Sequence, residues 1–206
     1  MSEERVDIAI FAKAPIPGLA KTRLIATLGA AGAARLQRRM ALQAVRVAQR
    51  ARLGDVTLWC APDASHRFFR AVHRCLGVDL RSQAEGDLGA RMGAAFARAG
   101  AGRPILLIGT DCPSLTERHL RRSADALRQG RAATFLPAED GGYVLVGLRK
   151  DTPEVFERID WGSERVMAQT RERLRRLGVA WDEGETLWDV DRPADVERLR
   201  HLADGR

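Results

Sequence analysis

Five short segments of the chain hold the residue types that phosphate and metal chemistry require. The first runs Ala12-Lys13-Ala14-Pro15-Ile16-Pro17-Gly18-Leu19-Ala20-Lys21-Thr22-Arg23-Leu24. Two prolines stiffen it, Gly18 permits a turn or a close backbone approach, and Lys13, Lys21 and Arg23 supply cations. Free backbone N–H groups beside such cations suit a di- or triphosphate. The spacing is neither that of a P-loop nor G-x-G-x-x-G. Of the 34 Lys and Arg residues only Lys13, Lys21 and Lys150 are lysines, and two of the three fall here. In a chain that otherwise uses arginine, this clustering points to a need for a compact ammonium. The bland alternative is an ordinary basic loop.

A second acidic and polar set follows later. Ile105-Leu106-Leu107-Ile108-Gly109-Thr110-Asp111-Cys112-Pro113 reads as a buried strand that delivers Asp111 to its carboxyl end. An oxygen ligand there suits Mg²⁺ or Mn²⁺ on phosphates, against a helix-capping role. Cys112 has no base to activate it and reads as packing. Asp189-Val190-Asp191 places two carboxylates on one side of an extended segment, before a helix opening at Pro193. Asp191 could complete the metal site begun by Asp111, with Asp189 as the next candidate and helix capping as the alternative. Glu139-Asp140-Gly141-Gly142-Tyr143 reads as a plain turn between strands or as a backbone platform against a ligand, with Asp140 as a hydrogen-bond acceptor or base. Gly86-Asp87-Leu88-Gly89-Ala90-Arg91-Met92 reads either as a ligand-lining loop or as a helix start, with Asp87 capping and Met92 in the core.

Elements that could position these residues are visible in the apolar pattern. Short β-branched runs predict strands at 6–11, 56–60, 78–82, 105–109, 133–136 and 143–148, with a short element near 186–190. Longer periodic runs predict helices at 30–52, 66–76, 88–99, 117–129, 163–177 and 193–202. Gly54 is expected to end the first helix, and Ser163 to cap the fifth. The alternation is that of an α/β protein with a largely parallel sheet, whose ligands bind beyond the carboxyl ends of the strands. Connections are short and no linker or repeat interrupts them, so residues 1–206 are expected to form one domain.

Composition narrows the function. A hydrophobic content of 45% and a charged content of 30% allow a packed core. Cys60, Cys75 and Cys112 stand far apart, against a zinc site or a disulfide framework. No apolar run is long enough for a span, and Met1–Glu4 lacks the order of a signal peptide, so the expectation is a cytoplasmic protein away from membranes. The net charge of +7 invites a nucleic-acid reading. The 31 arginines, however, are spread over helical surfaces and interleaved with acids, and nucleic acid is not the expected partner.

The ordered motifs F-A-K-A-P-x-P-G-x-x-K-T-R-L, G-D-L-G-x-R-M, G-T-D-C-P-x-L, E-D-G-G-Y and D-V-D-x-P-x-D span Ile8 to Leu199 and resemble the DUF2064 family. These are glycosyltransferase-like proteins of the nucleotide-diphospho-sugar transferase superfamily. A-K-T-R-L is also similar to phospholactate guanylyltransferases, and D-V-D-R-P-A-D-V to the ending of molybdenum-cofactor guanylyltransferases. The resemblance implies a Rossmann-like GT-A fold. It implies phosphate binding by Lys13, Gly18, Lys21 and Arg23, and base or ribose contacts from Asp87, Gly89 and Arg91. Asp111 and Asp191 would hold Mg²⁺ or Mn²⁺, and Asp140–Tyr143 would face a small-molecule acceptor. Asp111, Asp140 and Lys21 are then the candidate catalytic residues. Full-length coverage favours glycosyl transfer from a nucleotide-sugar. The lone aspartate after the fourth strand is closer to nucleotidylyl transfer, the alternative. A non-catalytic nucleotide or nucleic-acid binder is the third reading.

Overall fold

A computed structural model describes residues 4–99 and 102–204. Met1–Glu3, part of the segment read above for a leader, lie outside them. Over the described residues the chain forms seven strands and six helices. The strands are β1 (Asp7–Lys13), β2 (Val56–Ala61), β3 (Asp79–Ser82), β4 (Ile105–Ile108), β5 (Ala133–Pro137), β6 (Tyr143–Leu148) and β7 (Trp181–Glu183). The helices are α1 (Ile25–Ala51), α2 (Arg67–Leu76), α3 (Leu88–Ala99), α4 (Glu117–Arg128), α5 (Val166–Leu177) and α6 (Pro193–Asp204).

All seven strands join one sheet in the order β3-β2-β1-β4-β6-β5-β7. Only β6 runs against its neighbours; β1 pairs in parallel with both β2 and β4. Strand periodicity of two explains the three layers. Ile8 and Ile10 of β1, with Leu106 and Ile108 of β4, face a core completed by α1, α2 and α4. Ala9, Ile105 and Leu107 turn to the other face, under α3 and α5. A smaller cluster of Leu24, Leu36, Met40, Trp188, Val190 and Val196 fastens the segment before α6 onto α1.

The structure amends four expectations. β1 continues to Lys13, so this lysine ends the strand rather than opening the loop. The apolar stretch near 186–190 is not a strand: β7 lies earlier, and Leu187 makes one isolated bridge to Ala138. Gly54 does not end α1, whose terminal turn is made by Arg52 at φ 54°. Glycine is required at 54 because a Cβ there would lie 2.5 Å from the Val6 carbonyl. Finally, α5 starts at Val166, and Ser163 Oγ accepts from Arg165 N (3.2 Å) in the preceding turn. The expected start of the first helix at residue 30 matches a break at Gly29, whose φ of 67° and ψ of 162° interrupt α1.

Candidate active site

Lys21 closes the first loop. It stands in the left-handed region (φ 49°, ψ 47°), just before a short 3-10 turn over Thr22–Leu24. Its side chain is 4% exposed, and Nζ reaches Asp111 Oδ1 at 3.0 Å and donates to the Val190 carbonyl at 2.5 Å. Val190 N in turn donates to the Asp111 carbonyl (2.9 Å). One ammonium and one backbone bond therefore pin the Asp189–Asp191 segment to the end of β4. The Asp111 carboxylate also accepts from Thr110 Oγ1 (3.2 Å), and Thr110 is held by Gln37, which bonds the Lys13 carbonyl as well.

The arrangement separates the two late carboxylates. Asp191 is ion-paired with Arg23. Capping of α6 is done by another residue: Asp195 Oδ2 accepts from the backbone N–H groups of Asp191 (2.9 Å) and Arg192 (2.6 Å). Asp189 has neither duty. Burial, with the neighbouring charges of Asp140, Asp111 and Asp191, pushes its carboxyl up to about 6. Asp140 bends back so that Oδ1 accepts from Gly142 N (2.9 Å), which shapes the β5–β6 turn. In that turn Gly141 has φ 90°, and a Cβ on it would lie 2.0 Å from the Glu164 carbonyl, so only glycine fits. Arg198 forms two hydrogen bonds to Glu139 and lies 4.3 Å over the Trp188 ring, tying α6 to the same turn.

Arg23, Asp111, Asp140 and Asp191 share one cleft of about 1310 Å³ at this end of the sheet. The cleft also takes in Asp189, Tyr143 and the turn Trp161–Arg165. Of the other expected residues, Lys13 and Gly18 are exposed on or beside the loop, and Lys21 lies beneath Asp111. Asp87 Oδ1 accepts from Ala90 N (2.8 Å) and caps α3, while Met92 is in the core. Arg91 is engaged by Gln83 Oε1 (3.1 Å), and Gly89 lies under Trp161, where a Cβ would come 2.6 Å from Nε1. From this segment only Leu88 lines the cleft. Burial pushes the Cys112 thiol up, in keeping with packing rather than attack. Burial likewise raises the Tyr143 phenol, whose hydroxyl has no partner among the described residues.

Sequence reasoning missed Trp161 and Glu164. Their signal was a tryptophan outside any apolar run, in the turn Trp161-Gly162-Ser163-Glu164. A second hollow of about 440 Å³, lined by Arg118, Arg121, Arg122, Asp125 and Asp182 among others, has mixed charge and none of the motif residues. Among the described residues no helix is long and apolar enough to cross a membrane.

A mostly parallel sheet with one reversed strand, and a cleft between the end of β4 and the β5–β6 turn, is the GT-A arrangement of nucleotide-diphospho-sugar transferases and nucleotidylyltransferases. The chain belongs to the DUF2064 family, described as an uncharacterized protein conserved in bacteria, whose model matches residues 34–163. It is similar to a proposed nucleotide-diphospho-sugar transferase from Desulfovibrio desulfuricans, with 31% identity, 93% of this chain and 84% of that chain covered, and a TM-score of 0.83. Two more distant structures share the fold. One is the 4-diphosphocytidyl-2C-methyl-D-erythritol synthase of Anaerococcus prevotii (8% identity, 98% and 100% covered, TM-score 0.67). The other is the glucosyl-3-phosphoglycerate synthase of Mycobacterium tuberculosis, in complex with Mn²⁺, UDP and glucosyl-3-phosphoglycerate (11% identity, 93% and 74% covered, TM-score 0.56). No curated protein matches the chain.

Proposed function

We propose that the chain is a transferase that takes a nucleotide-sugar as donor and passes the glycosyl group to a small acceptor, with a divalent cation. The observation that carries this reading is the meeting of Arg23 with Asp111, Asp140, Asp189 and Asp191 in one cleft between the end of β4 and the β5–β6 turn. The 31%-identical structure, itself a proposed nucleotide-diphospho-sugar transferase, supports it.

The donor set fits Mg²⁺ or Mn²⁺, because carboxylate oxygens are the ligands these ions prefer. Among the described residues no three metal-binding side chains converge into a cage. Such an ion is commonly held by one or two carboxylates plus substrate phosphates. Asp111 and Asp189 would hold it, Asp189 being the cleft carboxylate that has only other carboxylates as charged neighbours. The ion would supply positive charge to the donor's diphosphate. Arg23, released from Asp191, and the exposed Lys13 would bind phosphate oxygens. Lys21 would keep Asp111 in place. Asp140 would accept the proton of the acceptor hydroxyl as its oxygen bonds to the sugar's anomeric carbon. The bond from that carbon to phosphate breaks, and its electron pair leaves with the nucleoside diphosphate.

One feature favours a second reading: Asp111 is followed by Cys112-Pro113, with no second aspartate two positions on. In nucleotidylyl transfer the acceptor would attack the α-phosphorus of a nucleoside triphosphate, and pyrophosphate would leave. Thermal shift with nucleoside triphosphates and nucleotide-sugars, with and without Mg²⁺, followed by assay of the released product, separates the two. Nucleoside diphosphate release supports the first reading. Acceptor-dependent pyrophosphate release replaces it with the second.

A further inference from the structure

The cations around the cleft are mostly committed. Arg23 is ion-paired with Asp191, and Lys21 is buried beneath Asp111. Arg165 is held by Asp160, and Arg198 of α6 by Glu139. Arg192 differs from them. It lines the cleft and is exposed, and its side chain has no ion pair, hydrogen bond or ring contact among the described residues.

Its main chain, by contrast, is fixed from both sides. Arg192 N donates to Asp195 Oδ2 (2.6 Å), and the Arg192 carbonyl accepts from Asp195 N (3.0 Å). Pro193 follows and narrows the backbone choices of the residue before it. The preceding residues are pinned as well, Asp191 N by the same Asp195 carboxylate and Val190 N by the Asp111 carbonyl. A rigid root therefore carries a free guanidinium into the cleft, which lowers the ordering cost of binding there.

The acids of the cleft leave this charge available. Asp111 and Asp189 go to the divalent cation in the reading above. Asp140 and Glu164 also line the cleft, yet neither is ion-paired with Arg192 among the described residues. Arg23 must leave Asp191 before it can bind another anion, whereas Arg192 gives up no partner. A guanidinium presents its N–H donors in a planar fork that matches the paired oxygens of a phosphate or a carboxylate.

Resting on the transferase reading, we propose that Arg192 is a specificity-determining residue of the cleft, binding the paired oxygens of a phosphate or carboxylate on a substrate. The phosphates of the donor and an acidic group on the acceptor offer the same chemistry, and binding measurements tell them apart.

Calorimetry of the full chain with Mg²⁺ uses UDP, GDP and dTDP as donor probes, and glucose, glucose 6-phosphate and gluconate, added to the nucleotide complex, as acceptor probes. Arg192→Gln should melt within about 1 °C of the parent, because the side chain it removes has no partner. It should nevertheless bind one set of anionic probes about tenfold more weakly, or worse, the loss expected for a charge-assisted bidentate contact. Arg192→Lys, which keeps the charge without the fork, should fall between the two. Weakened nucleotide binding assigns Arg192 to the donor. Unchanged nucleotide binding with weakened glucose 6-phosphate or gluconate binding, glucose being bound as before, assigns it to the acceptor. Arg46→Gln removes the same charge from the exposed surface of α1 and should bind every probe as the parent does. Binding by Arg192→Gln within about twofold of the parent for every probe, or an equal loss in Arg46→Gln, overturns the Arg192 assignment and leaves the transferase reading in place. A parent chain that binds none of the nucleotides defeats the transferase reading and the Arg192 assignment with it.

Discussion

Lys21→Met tests the clamp at the centre of the site. Methionine keeps an unbranched stem of similar length but removes the donors that Nζ gives to Asp111 and Val190. Two effects oppose each other. The variant no longer desolvates an ammonium in a seat that is 4% exposed. Against this, the carbonyl of fully buried Val190 loses its partner, a cost of about 1–3 kcal/mol. The Asp111 carboxylate, 48% exposed, also loses its counter-charge beside Asp189; solvent screening holds that loss to about 1 kcal/mol. The net expectation is a destabilisation of about 2 kcal/mol. For a chain of 206 residues this lowers Tm by about 4–8 °C. Lys21→Arg keeps the charge but forces a larger, planar group into the same seat, at about 1–3 kcal/mol for overpacking, and should weaken nucleotide binding as well. Differential scanning fluorimetry without ligand, cross-checked by urea unfolding, reads both variants. A Lys21→Met protein that melts within about 1 °C of the parent would falsify the clamp. The ammonium would then be free to serve phosphate directly.

Asp189→Asn should stabilise the ligand-free protein by about 1–2 kcal/mol, because burial and neighbouring carboxylates disfavour the charged form and partial exposure screens the effect, while Mg²⁺-dependent nucleotide binding is lost. Unchanged metal-dependent binding in calorimetry would transfer the ligand role to Asp191. Gly141→Ala should cost about 2–5 kcal/mol, since φ is 90° and the new Cβ meets the Glu164 backbone; Gly18→Ala, with φ 85° but open space around it, should cost about 1 kcal/mol. Equal denaturation midpoints for the two would contradict the close packing at 141. Glu183 is held below its ordinary value chiefly by hydrogen bonds from Arg171. A depressed acid adds stability above its unfolded pKa of about 4.3 and loses it as pH falls through the lower folded value. Glu183→Gln should therefore flatten the acid limb of the stability profile, by about 1 kcal/mol at neutral pH. Superimposable profiles for variant and parent would refute it.

Legibility in the sequence followed how local each cause is. The Ile105–Ile108 strand and its delivery of Asp111 rest on four consecutive apolar residues, and they are found as expected. The helical run from residue 30 was readable from its apolar periodicity, whereas the turn of α1 ahead of the Gly29 break, Ile25–Leu28, was not. β7 was hidden because Trp181-Asp182-Glu183 has one apolar residue, and its pairing with β5 is a tertiary event. Leu187, Trp188 and Val190 looked like a strand because they are buried, yet they fill the core from an irregular segment. Lysine usage flagged Lys21, but its partner Val190 lies 169 residues away, beyond any local signal. Asp87 was legible as a helix cap, a local bond to Ala90, whereas the demand for glycine at 89 comes from Trp161, far away in the sequence.

The separation between Lys21 and Val190, matched by the 168 residues between Arg23 and Asp191, has a consequence for biosynthesis. At about 5–20 residues per second, a ribosome takes on the order of ten seconds or more between releasing the first partner and the second. Through that interval β1 to β4 can assemble, since their pairings involve no residue beyond Ile108. Asp111 then stands at the tip of a formed sheet with its ammonium unanchored on the far side. On the transferase reading proposed above, the nascent protein holds a scaffold whose centre is closed only once the Asp189–Asp191 segment has been made.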